Sequence, residues 1–303
     1  MKSKHLPLLI LLPLIWGCYY VASRQSVAKM SVFSVGIMIR FITMILLLII
    51  MLRKKEMKLL FKTKGILKRL ILIGILGFLL DLTAFLGLEM SSAGIGTAIL
   101  KCDIIFVNLL SVFIYKEKFT KLDWGFSLLM LFGVFLVMDI DFWSFSITDK
   151  GNIFFVVSAL FVSINAFVIK SVQLDKKNPA ADNIIAFYNN FITMLLFLVS
   201  SAVMGTLNQI SKIAGDKRLL MAVVAAGVGQ ALIYVVYYYN LRNNPVWIVK
   251  VFLLLMPIVS LFVSFILFGD MANRKQYLGI VIVLAGALGI LLEQKKKTTA
   301  KTL

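Results

Sequence analysis

Long apolar runs constrain the fold of this 303-residue chain more than any other feature of its sequence. An α-helix needs roughly 20 apolar residues to cross the hydrocarbon core of a bilayer. Runs of about this length recur along the chain, and they lack the alternation of polar and apolar residues that membrane barrel strands show. Because backbone groups in lipid must be paired internally, we interpret the runs as transmembrane helices. The predicted spans are 6–23, 32–52, 67–88, 91–115, 120–138, 151–171, 183–204, 218–241, 246–268 and 275–292.

Composition and charge exclude several other classes of protein. Hydrophobic residues make up 61% of the chain and charged residues 15%, whereas about a quarter of the residues in soluble domains are charged. The net charge of +18 does not indicate nucleic-acid binding, because the basic residues lie in short loops between apolar runs. We therefore expect a lipid bilayer as the surroundings and no nucleic-acid partner.

The residue types needed for covalent or metal chemistry are scarce. Cys18 and Cys102 lie within apolar runs, and the one histidine, His5, lies in the basic N-terminal segment. A zinc site and a Ser-His catalytic pair both lack their parts, and no nucleotide-binding motif is present. The sequence therefore predicts no catalytic residue, no metal, no cofactor and a protein that is not an enzyme.

Lysine and arginine predict the orientation of the spans. With the N-terminus in the cytoplasm, cytoplasmic segments hold 21 of the 32 basic residues, eight of them between Arg53 and Arg69. The longest segment on the other side carries Asp139, Asp141 and Asp149 against a single lysine. Since cytoplasmic loops are enriched in basic residues, we predict a multi-pass protein of the cytoplasmic (plasma) membrane with both termini in the cytoplasm.

The two halves of the chain repeat each other. The sequence FITMILL at 41–47 returns as FITMLLF at 191–197, and an offset of 153 pairs Glu117 with Asp270. We assign residues 1–140 to a first five-helix half, 150–293 to a second and 294–303 to a basic cytoplasmic tail. Because five is an odd number, the second half enters the membrane from the opposite side. Such inverted repeats are typical of transporters whose site lies between the halves.

Several short motifs resemble those of a known transporter family. They are Trp16-Gly17, Arg40-Phe41, Glu117 at the end of span four, and Met256-Pro257 followed by Phe268-Gly269-Asp270. Over essentially the whole chain this arrangement resembles the EamA branch of the drug/metabolite transporter superfamily. The resemblance implies an all-α integral membrane protein of ten transmembrane helices in two inverted repeats, with spans five and ten as scaffold or dimer contact. The chain departs from the pattern in that Ile104 replaces the first repeat's proline and Asp270 replaces the usual glutamate.

Charges inside the predicted spans are the main candidates for function, because a charge in a bilayer is costly without a partner or a cavity. Asp81 and Lys101 are equally far from a hairpin turn near residue 91 and therefore both lie about 15 Å deep. We predict that they form an ion pair, which either neutralises itself or lines the transport path. Asp103 points about 200° away from Lys101 and either contacts the next helix or responds to protons.

Other side chains in the spans extend the candidate site. The donor fork of Arg40 suits a carboxylate or phosphate, and Asn190 is its counterpart in the second half. Lys250 lies about 9 Å deep and either reaches the cytoplasmic interface or lines a cavity. Candidate substrate-binding residues are Trp16, Tyr19, Arg40, Asp81, Thr97, Lys101, Asn190, Tyr234 and Lys250. Candidates for coupling or ion pairing are Asp81, Lys101 and Asp103.

These features together predict a secondary transporter that moves a small polar metabolite by alternating access. Charges of both signs favour a zwitterionic or anionic substrate, such as an amino acid or an amino-acid-like compound, with export as the favoured direction. The alternatives are a translocator of nucleotide sugars or lipid-linked metabolites and a non-transporting membrane scaffold. The sequence leaves open whether protons are coupled to transport and whether the protein is a monomer or a homodimer.

Overall fold

The computed structural model describes residues 6–90, 98–116, 119–141, 149–269 and 271–299. Over these residues the chain is helical and has no strand, as predicted. The helices are α1 (Leu6–Val27), α2 (Val32–Arg53), α3 (Leu67–Met90), α4 (Asp103–Tyr115), α5 (Lys121–Val137), α6 (Lys150–Gln173), α7 (Asp182–Val203), α8 (Lys217–Asn243), α9 (Val246–Leu253), α10 (Met256–Phe268) and α11 (Arg274–Thr299). Short 3-10 helices at Met57–Phe61 and Leu207–Ser211 follow α2 and α7, and a single helical turn, Lys212–Gly215, precedes α8.

Eight of the described helical segments are long and apolar enough to cross a membrane. They are Leu6–Val27, Val32–Arg53, Ala98–Tyr115, Lys150–Gln173, Asp182–Val203, Lys217–Asn243, Val246–Val263 and Arg274–Glu293. The two other predicted spans coincide with α3 and α5, which are 24 and 17 residues long. An all-helical protein with many membrane-spanning helices is therefore confirmed, whereas the number of ten crossings remains a prediction.

The internal repeat is visible in the backbone as well as in the sequence. Helices α2 and α7 are both 22 residues long and begin 150 residues apart. In the turns that follow them, Lys55 and Gly205 occupy matching positions and have positive φ angles of 58° and 66°. Lys116 and Gly269, which are 153 residues apart, end α4 and α10 with φ angles of 52° and 75°. The two halves therefore share backbone conformations even where their residues differ.

The chain forms two compact units, and neither of them is one of the sequence halves. The Arg40 unit comprises Ile15–Asp81 and Ile164–Arg242. The Lys101 unit comprises Met1–Leu14, Leu82–Ser163 and Asn243–Leu303. Each unit takes helices from both halves, so residues related by the repeat can meet inside one unit.

Close helix packing in the Arg40 unit follows the repeat. A Cβ atom on Gly74 of α3 would lie 2.5 Å from the Cβ of Ile192, and one on Gly227 of α8 would lie 2.6 Å from the Cβ of Ile42. The two glycines are related by the offset of 153 and the two isoleucines by the offset of 150. Each glycine is required because any side chain would collide with the neighbouring helix.

Two equivalent hydrogen bonds reinforce these contacts. Thr43 Oγ1 donates to the carbonyl oxygen of Gly227 at 3.0 Å, and Thr193 Oγ1 donates to that of Gly74 at 3.1 Å. In lipid, small residues let helices approach and hydroxyl groups bond across the contact. The middle of the Arg40 unit is therefore a two-fold arrangement of α2 with α8 and of α7 with α3.

In the Lys101 unit, α5 and α11 pack along each other. A Cβ on Gly279 would lie 2.7 Å from the carbonyl oxygen of Gly133, and one on Gly286 would lie 2.4 Å from Cγ of Met130. These helices correspond to spans five and ten, so their glycines serve contacts within the chain. A dimer contact through the same spans stays a prediction.

Candidate functional site

Arg40 of α2 is the centre of a buried polar group in the Arg40 unit. Its residue exposure is only 6%. One terminal nitrogen of the guanidinium group donates to Oδ2 of Asp81 at 2.6 Å, and the other donates to the hydroxyl oxygen of Tyr234 at 2.6 Å. We refer to Arg40, Asp81, Tyr234 and Asn190 as the Arg40 cluster. A guanidinium that bonds a carboxylate and a phenol in this way is well suited to hold α2, α3 and α8 together.

The pairing of Asp81 corrects the sequence prediction. Asp81 was expected to pair with Lys101, but its carboxylate binds Arg40. The argument from equal depth gave the height of each side chain along its helix and left open which neighbouring helix it faces. Arg40, on α2, reaches Asp81 from a helix that the depth argument did not consider. The predicted Asp81–Lys101 pair was therefore wrong.

The Arg40 cluster contains residues that the repeat relates to each other. Asp81 and Tyr234 hold equivalent positions on α3 and α8, and both bind the same guanidinium group. Asn190, the counterpart of Arg40, donates from Nδ2 to the backbone carbonyl of Arg40 at 2.8 Å. The structure therefore brings together four of the predicted site residues. The Oδ1 atom of Asn190 is buried and has no hydrogen-bond partner in the described part of the chain.

Aromatic side chains surround the Arg40 cluster. The ring of Tyr19 is partly buried, and its hydroxyl lies within electrostatic reach of Arg40 and Asp81. Trp16 packs edge-on against Tyr237 with ring centroids 5.4 Å apart, so its partner is a ring of α8. Tyr19 therefore lies near the cluster, and substrate binding by Tyr19 and Trp16 stays a prediction.

Sequence reasoning missed part of the polar network beside the cluster. Asn189 donates from Nδ2 to the hydroxyl oxygen of Tyr238 at 2.8 Å, and Gln173 donates from Nε2 to the backbone carbonyl of Tyr238 at 2.9 Å. All three residues are buried. The Asn189-Asn190 pair in the middle of an apolar run was a signal that could have identified Asn189.

The Lys101 unit contains a second set of buried charges. Nζ of Lys250, on α9, lies 2.8 Å from Oδ2 of Asp103, the first residue of α4. The Lys250 side chain is 1% exposed, so the alternative in which its amine reaches the interface was wrong. Asp103 was expected either to contact a neighbouring helix or to respond to protons, and the structure shows the contact. We refer to Lys101, Asp103, Lys250 and Met256 as the Lys101 cluster.

Lys101 itself has a weaker partner. The residue is 9% exposed, and its Nζ lies 3.6 Å from Sδ of Met256, the first residue of α10. Among the described residues, no carboxylate lies within ion-pair distance of this amine. Thr97, which was predicted to share a helix face with Lys101, lies outside the described residues. The cluster is therefore richer in cations than in carboxylates.

Both helical segments that form the Lys101 cluster are interrupted at matching positions. Residues 101–102 form a turn between Ala98–Leu100 and α4, and residues 254–255 form a turn between α9 and α10. Backbone bonds to the third residue back, such as Cys102 N to Ile99 O at 2.9 Å and Leu255 N to Phe252 O at 3.1 Å, tighten both turns. Proline at 257 explains one break, because it has no N–H to donate. The other occurs beside Ile104, without a proline.

The described residues contain no group of histidine, cysteine, aspartate and glutamate that could hold a metal ion. The two clusters consist of fixed charges, a phenol, an amide and a thioether. Such groups are suited to binding polar ligands within an apolar protein.

Residues 4–139 and 149–292 each match the family model described as the EamA-like transporter family. The chain belongs to this family. The resemblance predicted from the sequence is therefore confirmed, and with it the membership of the drug/metabolite transporter superfamily. Since the members are transporters, transport across a membrane is the general activity that the family indicates.

No curated protein matches this EamA-like transporter. Among solved structures, a crystal structure of a protein aligns with a TM-score of 0.80, over 98% of this chain and 99% of the other. The two sequences are 13% identical, so this likeness shows a shared fold and carries no information about substrate.

Proposed function

We propose that this protein is a secondary transporter that exports a small polar metabolite, an amino acid or an amino-acid-like compound, by alternating access. The observation that carries the proposal is the presence of ion pairs buried in apolar helices of both units, Arg40–Asp81 and Lys250–Asp103. Replacing a buried ion pair by apolar residues is often neutral or stabilising. Charges kept inside membrane helices therefore support a path for a polar ligand.

The signs of the buried charges support a zwitterionic or anionic substrate. A transporter of lipophilic cations needs a carboxylate that is free to receive the substrate. Here Asp81 and Asp103 are both bound to basic side chains. Within the described residues, the hydrogen-bonding partner of the buried Lys101 amine is instead a thioether. A carboxylate on the substrate is the group that this arrangement suits best.

Alternating access is supported by the inverted repeat. Two halves with the same backbone conformations can exchange them, which opens a central site first to one side of the membrane and then to the other. Asp81 and Tyr234 are equivalent positions of the two halves and bind one arginine. We propose that the halves exchange conformations during transport and that this exchange alters the hydrogen bonds of Arg40 to Asp81 and Tyr234.

The alternatives named above are less well supported. A scaffold has no need of buried charges. A translocator of nucleotide sugars would require several cations free to bind two phosphates, yet Arg40 and Lys250 are engaged by carboxylates. Proton coupling through Asp103 and the number of subunits stay as proposals of the same kind.

Transport is tested in two steps. A metabolite survey of spent medium from cells that lack or overproduce the protein identifies the substrate and the direction of transport. The purified protein in liposomes should then move that compound. Arg40→Lys keeps the charge but loses the paired donor geometry, so transport should slow while the protein still inserts and folds. Arg274→Lys, at an exposed position, is the matched control and should transport at the wild-type rate. Wild-type transport by both Arg40→Lys and Arg40→Ala would show that Arg40 is structural.

Orientation is tested separately with cysteines placed at exposed loop positions. In a variant with Cys18 and Cys102 replaced by serine, Lys62→Cys should be protected in intact cells from an impermeant thiol reagent, whereas Lys212→Cys should react. The reverse pattern would place the termini outside the cytoplasm.

A further inference from the structure

We propose that Lys101, at the first turns of α4 and α10, forms a subsite for a carboxylate. The proposal rests on the transport function proposed above and names the substrate group that one part of the site receives. It follows from three observations on the Lys101 cluster: the unmet hydrogen-bonding capacity of Lys101, the position of two helix starts, and the balance of charge.

The first observation is the environment of the Lys101 amine. An ammonium group has three N–H donors, and a thioether sulfur is a weak acceptor. Within the described residues, the hydrogen-bonding partner of Nζ is Sδ of Met256 at 3.6 Å. The residue is more than nine-tenths buried, so water can replace few of the missing bonds. A buried cation in this state is costly, and an anion that binds it would remove much of the cost.

The second observation is that two helices begin at the cluster. Asp103 is the first residue of α4 and Met256 is the first residue of α10, and each helix is 13 residues long. The N–H groups of Ile104 and Ile105 bond to carbonyl oxygens of the preceding turn at 3.3 and 2.9 Å, so the helix starts contribute through the partial positive charge of their dipoles and not through free donors. Because Lys101 Nζ contacts Met256, the amine lies at the start of α10. Interrupted membrane helices whose half-helices start at a site are suited to binding anionic groups.

The third observation is the charge balance of the cluster. Among the described residues it contains two lysines and one aspartate, and Asp103 is bound by Lys250 at 2.8 Å. One positive charge is left in excess. A group with a single negative charge would balance it, whereas a phosphate dianion would leave an excess of negative charge. The carboxylate of an amino acid meets this requirement.

The subsite is tested by ligand-induced stabilisation of the purified full-length protein in detergent. The probes are alanine, propionate and ethylamine, which share a short carbon chain and differ in their charged groups, with chloride at equal ionic strength as the reference. Alanine and propionate should raise the melting temperature of the wild type by about 2–4 °C near saturation, and ethylamine should not. Lys101→Met should abolish the shift, whereas Lys101→Arg should retain part of it.

Lys170→Met is the matched control, because Lys170 is also 9% exposed but belongs to α6 in the Arg40 unit. It should keep the carboxylate-dependent shift. In the absence of ligand, Lys101→Met should be at least as stable as the wild type, since it removes an excess buried charge. A merely structural lysine would instead lower the melting temperature when replaced.

The outcomes separate this subsite from the transport function. A wild-type melting temperature that carboxylates do not raise, or a shift that persists in Lys101→Met, would overturn the subsite even if liposomes transport a metabolite. A shift that depends on Lys101 in a protein that moves none of the surveyed metabolites would leave the subsite standing and overturn the proposed transport.

Discussion

In the Arg40 cluster one guanidinium group faces one carboxylate and one phenol, whereas the Lys101 cluster has two ammonium groups and one carboxylate, which Lys250 binds. Both clusters are buried within apolar helices, and both are built from residues of the two sequence halves. The first is balanced in charge, and both terminal nitrogens of its guanidinium group donate a hydrogen bond. Within the described residues, the second retains a cation whose hydrogen-bonding partner is a thioether. The comparison indicates that the Arg40 cluster holds helices together and that the Lys101 cluster has the capacity to bind an anion.

The largest expected effect is the loss of the balanced pair. Asp81→Asn leaves the buried guanidinium of Arg40 without its counter-charge, which should lower the free energy of unfolding by about 3–5 kcal/mol. The double variant Asp81→Asn with Arg40→Met should be more stable than Asp81→Asn alone, because no buried charge remains unpaired. Denaturation of the purified variants in detergent measures both effects. Defects that simply add would show that the two residues are not energetic partners.

The Lys101 cluster should respond unequally to loss of a cation and loss of its anion. Lys250→Met leaves Asp103 within electrostatic reach of Lys101, so we expect a loss of only about 1–2 kcal/mol. Asp103→Asn leaves two cations together and should cost more, about 3–5 kcal/mol. The same denaturation assay compares the two. Equal losses of unfolding free energy in the two variants would mean that Lys101 does not stabilise the charge of Asp103 when Lys250 is absent. The excess of positive charge in the cluster would then have no measurable effect on stability.

A smaller effect is expected where the two repeats share a left-handed backbone conformation. Gly205→Ala places a Cβ at a φ of 66° and should cost about 1–2 kcal/mol. Lys55→Gly, at the matching position with a φ of 58°, should be neutral or stabilising by up to about 1 kcal/mol. Gly215→Ala is the control, because Gly215 is helical and a Cβ added there would meet no other atom within 4 Å. A loss at Gly215 equal to that at Gly205 would argue against backbone strain as the cause.

The smallest effect concerns an ion pair outside the spans. The hydrogen bond from Arg69, together with backbone N–H groups of Asn178 and Lys177, lowers the pKa of Asp175 to about 2. A carboxyl group whose pKa is lower in the folded state stabilises the fold at pH values above its unfolded pKa, near 3.9. This contribution is lost as the pH falls through the folded pKa of about 2. Titration of carbon-13-labelled aspartate by NMR should show one carboxyl that remains ionised at pH 3. Arg69→Met should move its pKa upward, and an unchanged titration would contradict the assigned cause.

Several site residues were predictable from the sequence, but their pairing was not. The cost of burying charge identified Arg40, Asp81, Lys101, Asp103 and Lys250 as candidates. The offset of 153 makes Tyr234 the counterpart of Asp81, and in the structure both side chains accept a hydrogen bond from Arg40. Asn189 was not predicted, because the role of an asparagine within an apolar run becomes visible only when its hydrogen-bond partner is known. In the structure that partner is the hydroxyl of Tyr238. One of the two alternatives predicted for Lys250, an amine that reaches the interface, was wrong. The depth of a residue along its helix does not reveal a carboxylate on a neighbouring helix.

The sequence by itself determined the helical membrane fold, the family and the two-fold repeat. The length of the apolar runs and the internal similarity can be read along the chain without knowledge of tertiary contacts. An apolar run as long as the bilayer core is thick must form a helix, because its backbone groups have to be paired internally. Only the tertiary structure decided that the compact units mix the halves, that Asp81 binds Arg40, and that Asp103 binds Lys250. These facts depend on which faces of distant helices meet and on where two helices break. The meeting of faces is set by packing between helices, which no single stretch of sequence encodes, whereas Pro257 marks one of the two breaks in the sequence.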